Sequence, residues 1–144
     1  MFHILVVDDD KNICELLKLY LVKEGYNVVL NYNTSEDIAK KMKEEFTNNG
    51  QIVEIFKADV SKREEVKKLV EYTLEKFGNI DILINNAGIS QTKQFTDITD
   101  EDWQKMIGTN LDSVFYMTQE VSKNMIYNKK GCVINISSIW GLVG

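Results

Sequence analysis

Short apolar runs alternate with longer amphipathic ones from one end of this chain to the other, and that alternation constrains the fold more than any other feature. The short runs, at residues 4–7, 27–30, 52–56, 80–85 and 132–137, are rich in valine and isoleucine, as strands buried on both faces are. Helical stretches separate them, at 11–24, 35–48, 62–77 and 100–128. Ile13, Leu16, Leu17, Tyr20 and Leu21 recur at three and four residues in the first, and Val66, Leu69, Val70, Thr73 and Leu74 do so in the third. Gly25, Gly50, Gly78 and Gly131 stand where these stretches stop, and a break near Gly108 is compatible with the longest. Thr34 and Ser35 supply hydroxyls, and Glu36 and Asp37 carboxylates, that suit the start of the second.

A helix between every two strands forces those strands to run parallel, and right-handed crossovers place helices on both faces of one open sheet. The expected fold is therefore a doubly wound α/β domain, Rossmann- or flavodoxin-like, with three layers and five parallel strands. The 144 residues fit a single domain spanning 1–144, without linker, repeat or low-complexity tract. Periodicity leaves two strand orders open, 3-2-1-4-5 and 2-1-3-4-5.

Composition excludes several classes of function. A net charge of −5 argues against a nucleic-acid or anionic-membrane partner, and no apolar run approaches a membrane span. The amino terminus runs at once from Met1-Phe-His-Ile-Leu-Val-Val7 into three aspartates, unlike a signal peptide, so a cytoplasmic location is expected. Cys14 and Cys132 have no metal-ligand spacing and read as small core residues. His3 is the only histidine, so neither a catalytic triad nor a zinc site can be built around it.

From Gly25 onward the motifs are more specific. Asn27-Val-Val-Leu-Asn-Tyr-Asn33, Ala58-Asp59-Val60, Asn85-Asn86-Ala87-Gly88, Thr109-Asn110 and Val133-Ile-Asn-Ile-Ser-Ser138 follow one another in a fixed order. In that order the segment 26–144 resembles a short-chain dehydrogenase/reductase, closest to the 3-oxoacyl-acyl-carrier-protein reductases. The resemblance implies strand order 3-2-1-4-5 and an NADP(H) cofactor. It further implies an adenosine contact at Asp59 and Val60, a cofactor-side loop at Asn86, Ala87 and Gly88, and catalytic positions at Asn110 and Ser138. Residues 1–25 look different. Ile4-Leu-Val-Val-Asp-Asp-Asp10, followed by Asn12-Ile13 and Glu15-Leu16-Leu17, resembles the opening of a response-regulator receiver domain, in which acids after the first strand bind Mg²⁺. The combined expectation is an artificial chimera, joined near Gly25 without a gap; the alternatives are a truncated NADP(H)-binding fragment of a short-chain reductase and a Mg²⁺-binding receiver-like signalling module.

That expectation removes chemistry from both parents. Aligned at Gly25 and Tyr26, the reductase glycine pattern falls on Asp8, Asn12 and Cys14, none of them glycine. Carboxylates at Asp8, Asp9 and Asp10 would face a pyrophosphate, and like charges ~4 Å apart at an effective dielectric near 20 repel by about 4 kcal/mol per pair. The expected outcome is no cofactor, with at most a weak Mg²⁺ site at Asp8 and Asp9. Asn31, Tyr32 and Asn33 offer no carboxylate to a ribose 2′-hydroxyl, which within this resemblance leans towards NADP(H) over NAD(H). The family's tyrosine acid/base and its lysine do not follow Ser138 in these residues, so no turnover is expected. In a receiver the phosphoacceptor position would fall on Asn86, an amide. An open edge at the fifth strand, together with Trp103, Phe115 and Tyr116 on the longest helix, suggests a homodimer.

Overall fold

The computed structural model describes residues 2–7, 25–48, 50 and 52–138. Its first strand, β1 (His3–Val7), is the centre of the sheet, with Ile4, Leu5, Val6 and Val7 all at most 1% exposed. Around it lie β2 (Asn27–Tyr32), β3 (Val53–Lys57), β4 (Ile82–Asn85) and β5 (Cys132–Asn135), all parallel and ordered β3-β2-β1-β4-β5. This is the doubly wound fold and the 3-2-1-4-5 order that the reductase resemblance implies. A receiver order would have set β3 beside β1; here β2 separates them.

Side chains alternate across a strand, so β1 serves two cores at once. Ile4 and Val6 join Val28, Leu30, Val53 and Ile84 beneath α1 (Glu36–Asn48), which contributes Ala39, Met42 and Phe46. Leu5 and Val7 face the other layer. There α2 (Arg63–Phe77) supplies Val66, Leu69 and Val70, and α4 (Ser113–Tyr127) supplies Met117, Val121 and Met125. The α2 stripe repeats at three and four residues, which is why it was visible in the sequence, whereas Met117, Val121 and Met125 on α4 recur at four.

The long helix expected over 100–128 is two α-helices, α3 (Asp100–Ile107) and α4, joined by a π-helical turn at Gly108–Asp112. Thr99 caps α3 in a reciprocal box, its hydroxyl accepting from the Asp102 N–H while the Asp102 carboxylate accepts from the Thr99 N–H. The fourth and fifth strands are shorter than expected, beginning at Ile82 and ending at Asn135. Cys132 is exposed rather than in the core. It starts an edge strand, and among the described residues nothing pairs with the outer side of β5. The expected helix at 11–24, Cys14, and the candidate metal ligands Asp8 and Asp9 lie outside the described residues.

Two polar clasps close the sheet. At the β3 edge, Glu54 accepts from Lys43 Nζ of α1 at 2.8 Å and from the Tyr72 hydroxyl of α2 at 3.2 Å, so helices on opposite faces meet at one carboxylate. Burial and the Glu54 charge push the Tyr72 phenol up to about 12. At the amino-terminal edge, Asp81 is 5% exposed and accepts from the His3 N–H, Asn79 Nδ2 and Lys130 Nζ at 2.9, 3.0 and 2.9 Å.

Candidate functional site

Because all five strands are parallel, their carboxyl ends share one edge of the sheet. In a doubly wound sheet ligands bind beyond that edge, where the strand order reverses. Here the reversal lies between β1 and β4. Val7 is in register with Asn85, and the Asn86 N–H donates to the Val7 carbonyl at 3.0 Å, so the two strands end flush. The candidate residues of the carboxyl-end loops lie along this edge: Asp59 and Val60 beyond β3, Asn86, Ala87 and Gly88 beyond β4, and Ser138 three residues beyond β5.

Asn110 connects the central loop to the long helix. Its Oδ1 accepts from the Ile89 N–H at 2.8 Å, and its Nδ2 donates to the Ile89 carbonyl at 2.9 Å. One carboxamide thus saturates the backbone immediately after Gly88. The π turn makes this possible, because an inserted residue rotates Asn110 relative to the regular helical faces on either side. Gly88 itself is not demanded by crowding: a Cβ there would meet Asn110 Oδ1 at an ordinary 3.5 Å. Its missing side chain leaves room for close approach by a ligand.

Asp59 uses its carboxylate locally. Oδ1 accepts from the Ser61 N–H at 3.1 Å and the Ser61 hydroxyl at 2.6 Å, and Lys62 Nζ lies 3.3 Å from Oδ2. Burial raises the Asp59 carboxyl, but the Ser61 hydrogen bonds and the Lys62 ammonium outweigh it and hold it below the usual range. Val60 is buried beside it. Asn31, at the end of β2, donates from Nδ2 to the carbonyls of Phe56 and Ala58 at 3.2 and 3.0 Å, which fixes the turn that carries Asp59.

One constellation was missed in the sequence. Asn85, 4% exposed, donates from Nδ2 to Asn135 Oδ1 at 2.8 Å and to the Thr118 hydroxyl at 3.1 Å, while its own Oδ1 is buried without a partner. The pair ties the ends of β4 and β5, and so sets the loop at Asn86 against the segment leading to Ser138. The available signal was an amide closing an otherwise apolar strand, where an unpaired polar group is costly. Among the described residues no group of three or more His, Cys, Asp or Glu is placed to hold a metal ion, and no helix is long and apolar enough to cross a membrane.

Comparison with known proteins matches residues 3–144 to the family described as short chain dehydrogenase. The 3-oxoacyl-[acyl-carrier-protein] reductase FabG of Staphylococcus epidermidis is 36% identical over 140 residues, covering 97% of this chain and 57% of the relative. The 3-oxoacyl-[acyl-carrier-protein] reductase of Synechocystis is 39% identical over the same shares. A short-chain dehydrogenase/reductase double mutant from Serratia marcescens superposes with a TM-score of 0.83 at 28% identity, covering 94% of this chain and 55% of that one. A Sinorhizobium meliloti protein described as a putative short-chain alcohol dehydrogenase, 23% identical with a TM-score of 0.88 over 99% of this chain and 56% of its own, supports the fold alone. The chain spans little more than half the length of these relatives. The match starts at residue 3 and includes the segment 3–25, so the expected receiver fusion and artificial chimera find no support, nor does a Mg²⁺ site.

The donor set fits the family's nicotinamide dinucleotide in one part only. The edge at β2 and β3 has no carboxylate at Asn31, Tyr32 or Asn33, and it sets Lys57 in register with Tyr32. The sequence that follows β1 has the opposite chemistry: the residue bonded to Val7 is an aspartate, two more follow, and glycine is absent from 8 through 24. A pyrophosphate calls for close backbone approach and open N–H groups there, and this composition does not fit it.

Proposed function

Since the chain belongs to the short-chain dehydrogenase family, we propose that it forms the nucleotide-side part of a reductase acting on a 3-oxoacyl thioester. The observation that carries the reading is Asn110. On a π turn of the long helix, it holds the Gly88–Ile89 backbone by two reciprocal hydrogen bonds on the edge that leads through β5 to Ser138. Ser138 supplies a hydroxyl to orient the substrate carbonyl, and Asn110 keeps the loop beyond β4 open towards the crevice. The chain's likeness to 3-oxoacyl-[acyl-carrier-protein] reductases supports the choice of thioester. This activity is proposed for the whole protein.

The adenosine end is the testable part in this chain. Lys57 beside Tyr32, with no carboxylate at 31–33, favours a 2′-phosphate over a free ribose hydroxyl. Adenosine 2′-monophosphate should raise the melting temperature at millimolar concentration, and the 5′-monophosphate, of equal charge, should raise it less. Equal protection by both isomers removes the 2′-phosphate assignment, and protection by neither removes the nucleotide reading.

The reading extends to a homodimer. Trp103, Leu111 and Phe115 on the α3–α4 side, and Ile134 and Ile136 on and just after the edge strand β5, are each at least 40% exposed. Arg63 lies over the rings of Tyr116 and Phe115, 4.3 and 5.3 Å from their centroids, and donates to Gln119 Oε1 at 2.6 Å. Light scattering across micromolar concentrations should show a mass above that of the 16.6 kDa chain. A constant monomer mass rules the dimer out.

A further inference from the structure

We infer that Met106 is an oxidation site that controls Asn110: converting its thioether to the sulfoxide releases the carboxamide that clamps the Gly88–Ile89 backbone. The inference rests on the reading of Asn110 given above and adds regulation to that site.

The two side chains meet directly. One hydrogen of Asn110 Nδ2 goes to the Ile89 carbonyl at 2.9 Å and the other to Met106 Sδ, also at 2.9 Å, while Oδ1 takes the Ile89 N–H at 2.8 Å. Met106 stands in the last turn of α3, four residues before Asn110. The carboxamide is thus steadied from the helix on one side and holds the loop on the other. Its helix-side acceptor is a thioether, which is weak, polarisable and open to oxidation.

Exposure selects this methionine. Met42, Met117 and Met125 are at most 9% exposed and belong to the core clusters, whereas Met106 is only partly covered and its bond with Asn110 lies at the surface. A hydroperoxide therefore reaches Met106 first among the described methionines. The sulfur gives a lone pair to one peroxide oxygen, the O–O bond breaks, and that oxygen stays on sulfur. With hydrogen peroxide the other oxygen leaves as water, so sulfur loses two electrons and the peroxide gains them.

Either epimer of the sulfoxide ends the contact. An oxygen on the lone pair facing Nδ2 cannot fit, because N···O contacts stop near ~2.7 Å and the sulfur itself is only 2.9 Å away. An oxygen on the other lone pair makes sulfur the positive end of the S–O dipole, which repels the amide hydrogen. In both cases Asn110 loses its hold on α3 and becomes free to change rotamer, and water reaches the Ile89 backbone. The loop beyond β4 borders the crevice, so peroxide loosens that wall and leaves the sheet in place.

Hydrogen exchange at the Ile89 amide, followed by NMR in the full 144-residue chain before and after mild hydrogen peroxide, tests this. Dithiothreitol added after the peroxide reverses disulfide and sulfenic acid formation but not methionine sulfoxide, and peptide mapping locates the added oxygen. Exchange at Ile89 should quicken ~3-fold or more as Met106 is oxidised, while the amides of β1 keep their rates. The two methionine sulfoxide reductases, one per epimer, should restore the parent rate. Met106→Leu, with every other oxidisable residue kept, should show no response to peroxide. Asn110→Ala should quicken Ile89 exchange without peroxide, at least as much as oxidation does in the parent. Circular dichroism checks its fold, and Asn110→Ser is the milder version if alanine is not folded. Oxidised Met106 with unchanged Ile89 exchange, a response that survives in Met106→Leu, or oxidation of a buried methionine ahead of Met106 overturns the inference and leaves the Asn110 reading standing. A folded Asn110 variant that exchanges Ile89 at the parent rate overturns both.

Discussion

Asp81→Ala should destabilise the fold by about 3 kcal/mol, although Asp81 lies at the edge of the sheet opposite the crevice. Its carboxylate is 5% exposed and accepts from the His3 N–H, Asn79 Nδ2 and Lys130 Nζ, while its own backbone joins β1 and β5 through the His3 carbonyl and the Cys132 N–H. Truncation leaves the N–H of half-buried His3 without an acceptor, and that loss dominates. Lys130 contributes less, because its side chain is 60% exposed and regains water. Burial raises the Asp81 carboxyl, but the His3 N–H, Lys130 and Asn79 outweigh it and hold it below its usual value. The folded value lies below the unfolded one, so the stabilisation is complete above the unfolded value of about 3.9 and is lost as pH falls through the folded value. Urea denaturation of the parent, Asp81→Ala and Asp81→Asn at neutral pH and at acid pH checks both parts. A loss under about 1 kcal/mol for alanine, or an asparagine variant that keeps the parent's acid sensitivity, contradicts the assignment.

Asp81 also illustrates what the sequence could not disclose. Its partners His3 and Lys130 lie 78 and 49 positions away in the chain, and no periodicity encodes such a meeting. The same holds for Asn85 with Asn135, 50 positions apart. The helix stripes were legible because their partners recur within one turn, and the break near Gly108 was legible as a glycine in a long apolar pattern, though not as a π turn. Strand order was not available from periodicity; the motif at Asn85–Gly88 supplied it by resemblance. The likeness of residues 1–25 to a receiver arose because strand, polar turn and helix are shared by both doubly wound families. Only a comparison running from residue 3 to 144 discriminates between them. Cys132 was misplaced for a related reason: a small residue at a strand start reads alike in a central strand and at an edge. Asp59 was found by position, but its capture by Ser61 and Lys62 depends on a turn geometry that the sequence leaves open.

Leu5→Ala should cost about 3–4 kcal/mol, while Ile134→Ala, an aliphatic truncation in the same sheet, should cost about 1 kcal/mol or less. Leu5 is fully buried on the central strand, beneath the layer formed by α2 and α4, so truncation removes apolar contact and leaves a cavity that its neighbours can fill only in part. Ile134 is 40% exposed on β5, in register with Ile84, which packs on the opposite face beneath α1. Side chains alternate, so Ile134 shares that face, and α1 does not reach it. Much of its surface is already in water, and the truncation loses correspondingly little transfer free energy. Denaturation of both variants at a low and at a high protein concentration extends the comparison to assembly. If the Ile134 variant loses as much as the Leu5 variant, and only at the higher concentration, a second copy covers this face and the proposed dimer runs through β5. A small loss for Ile134 at both concentrations places any dimer on the α3–α4 side, where Trp103, Leu111 and Phe115 are the exposed anchors.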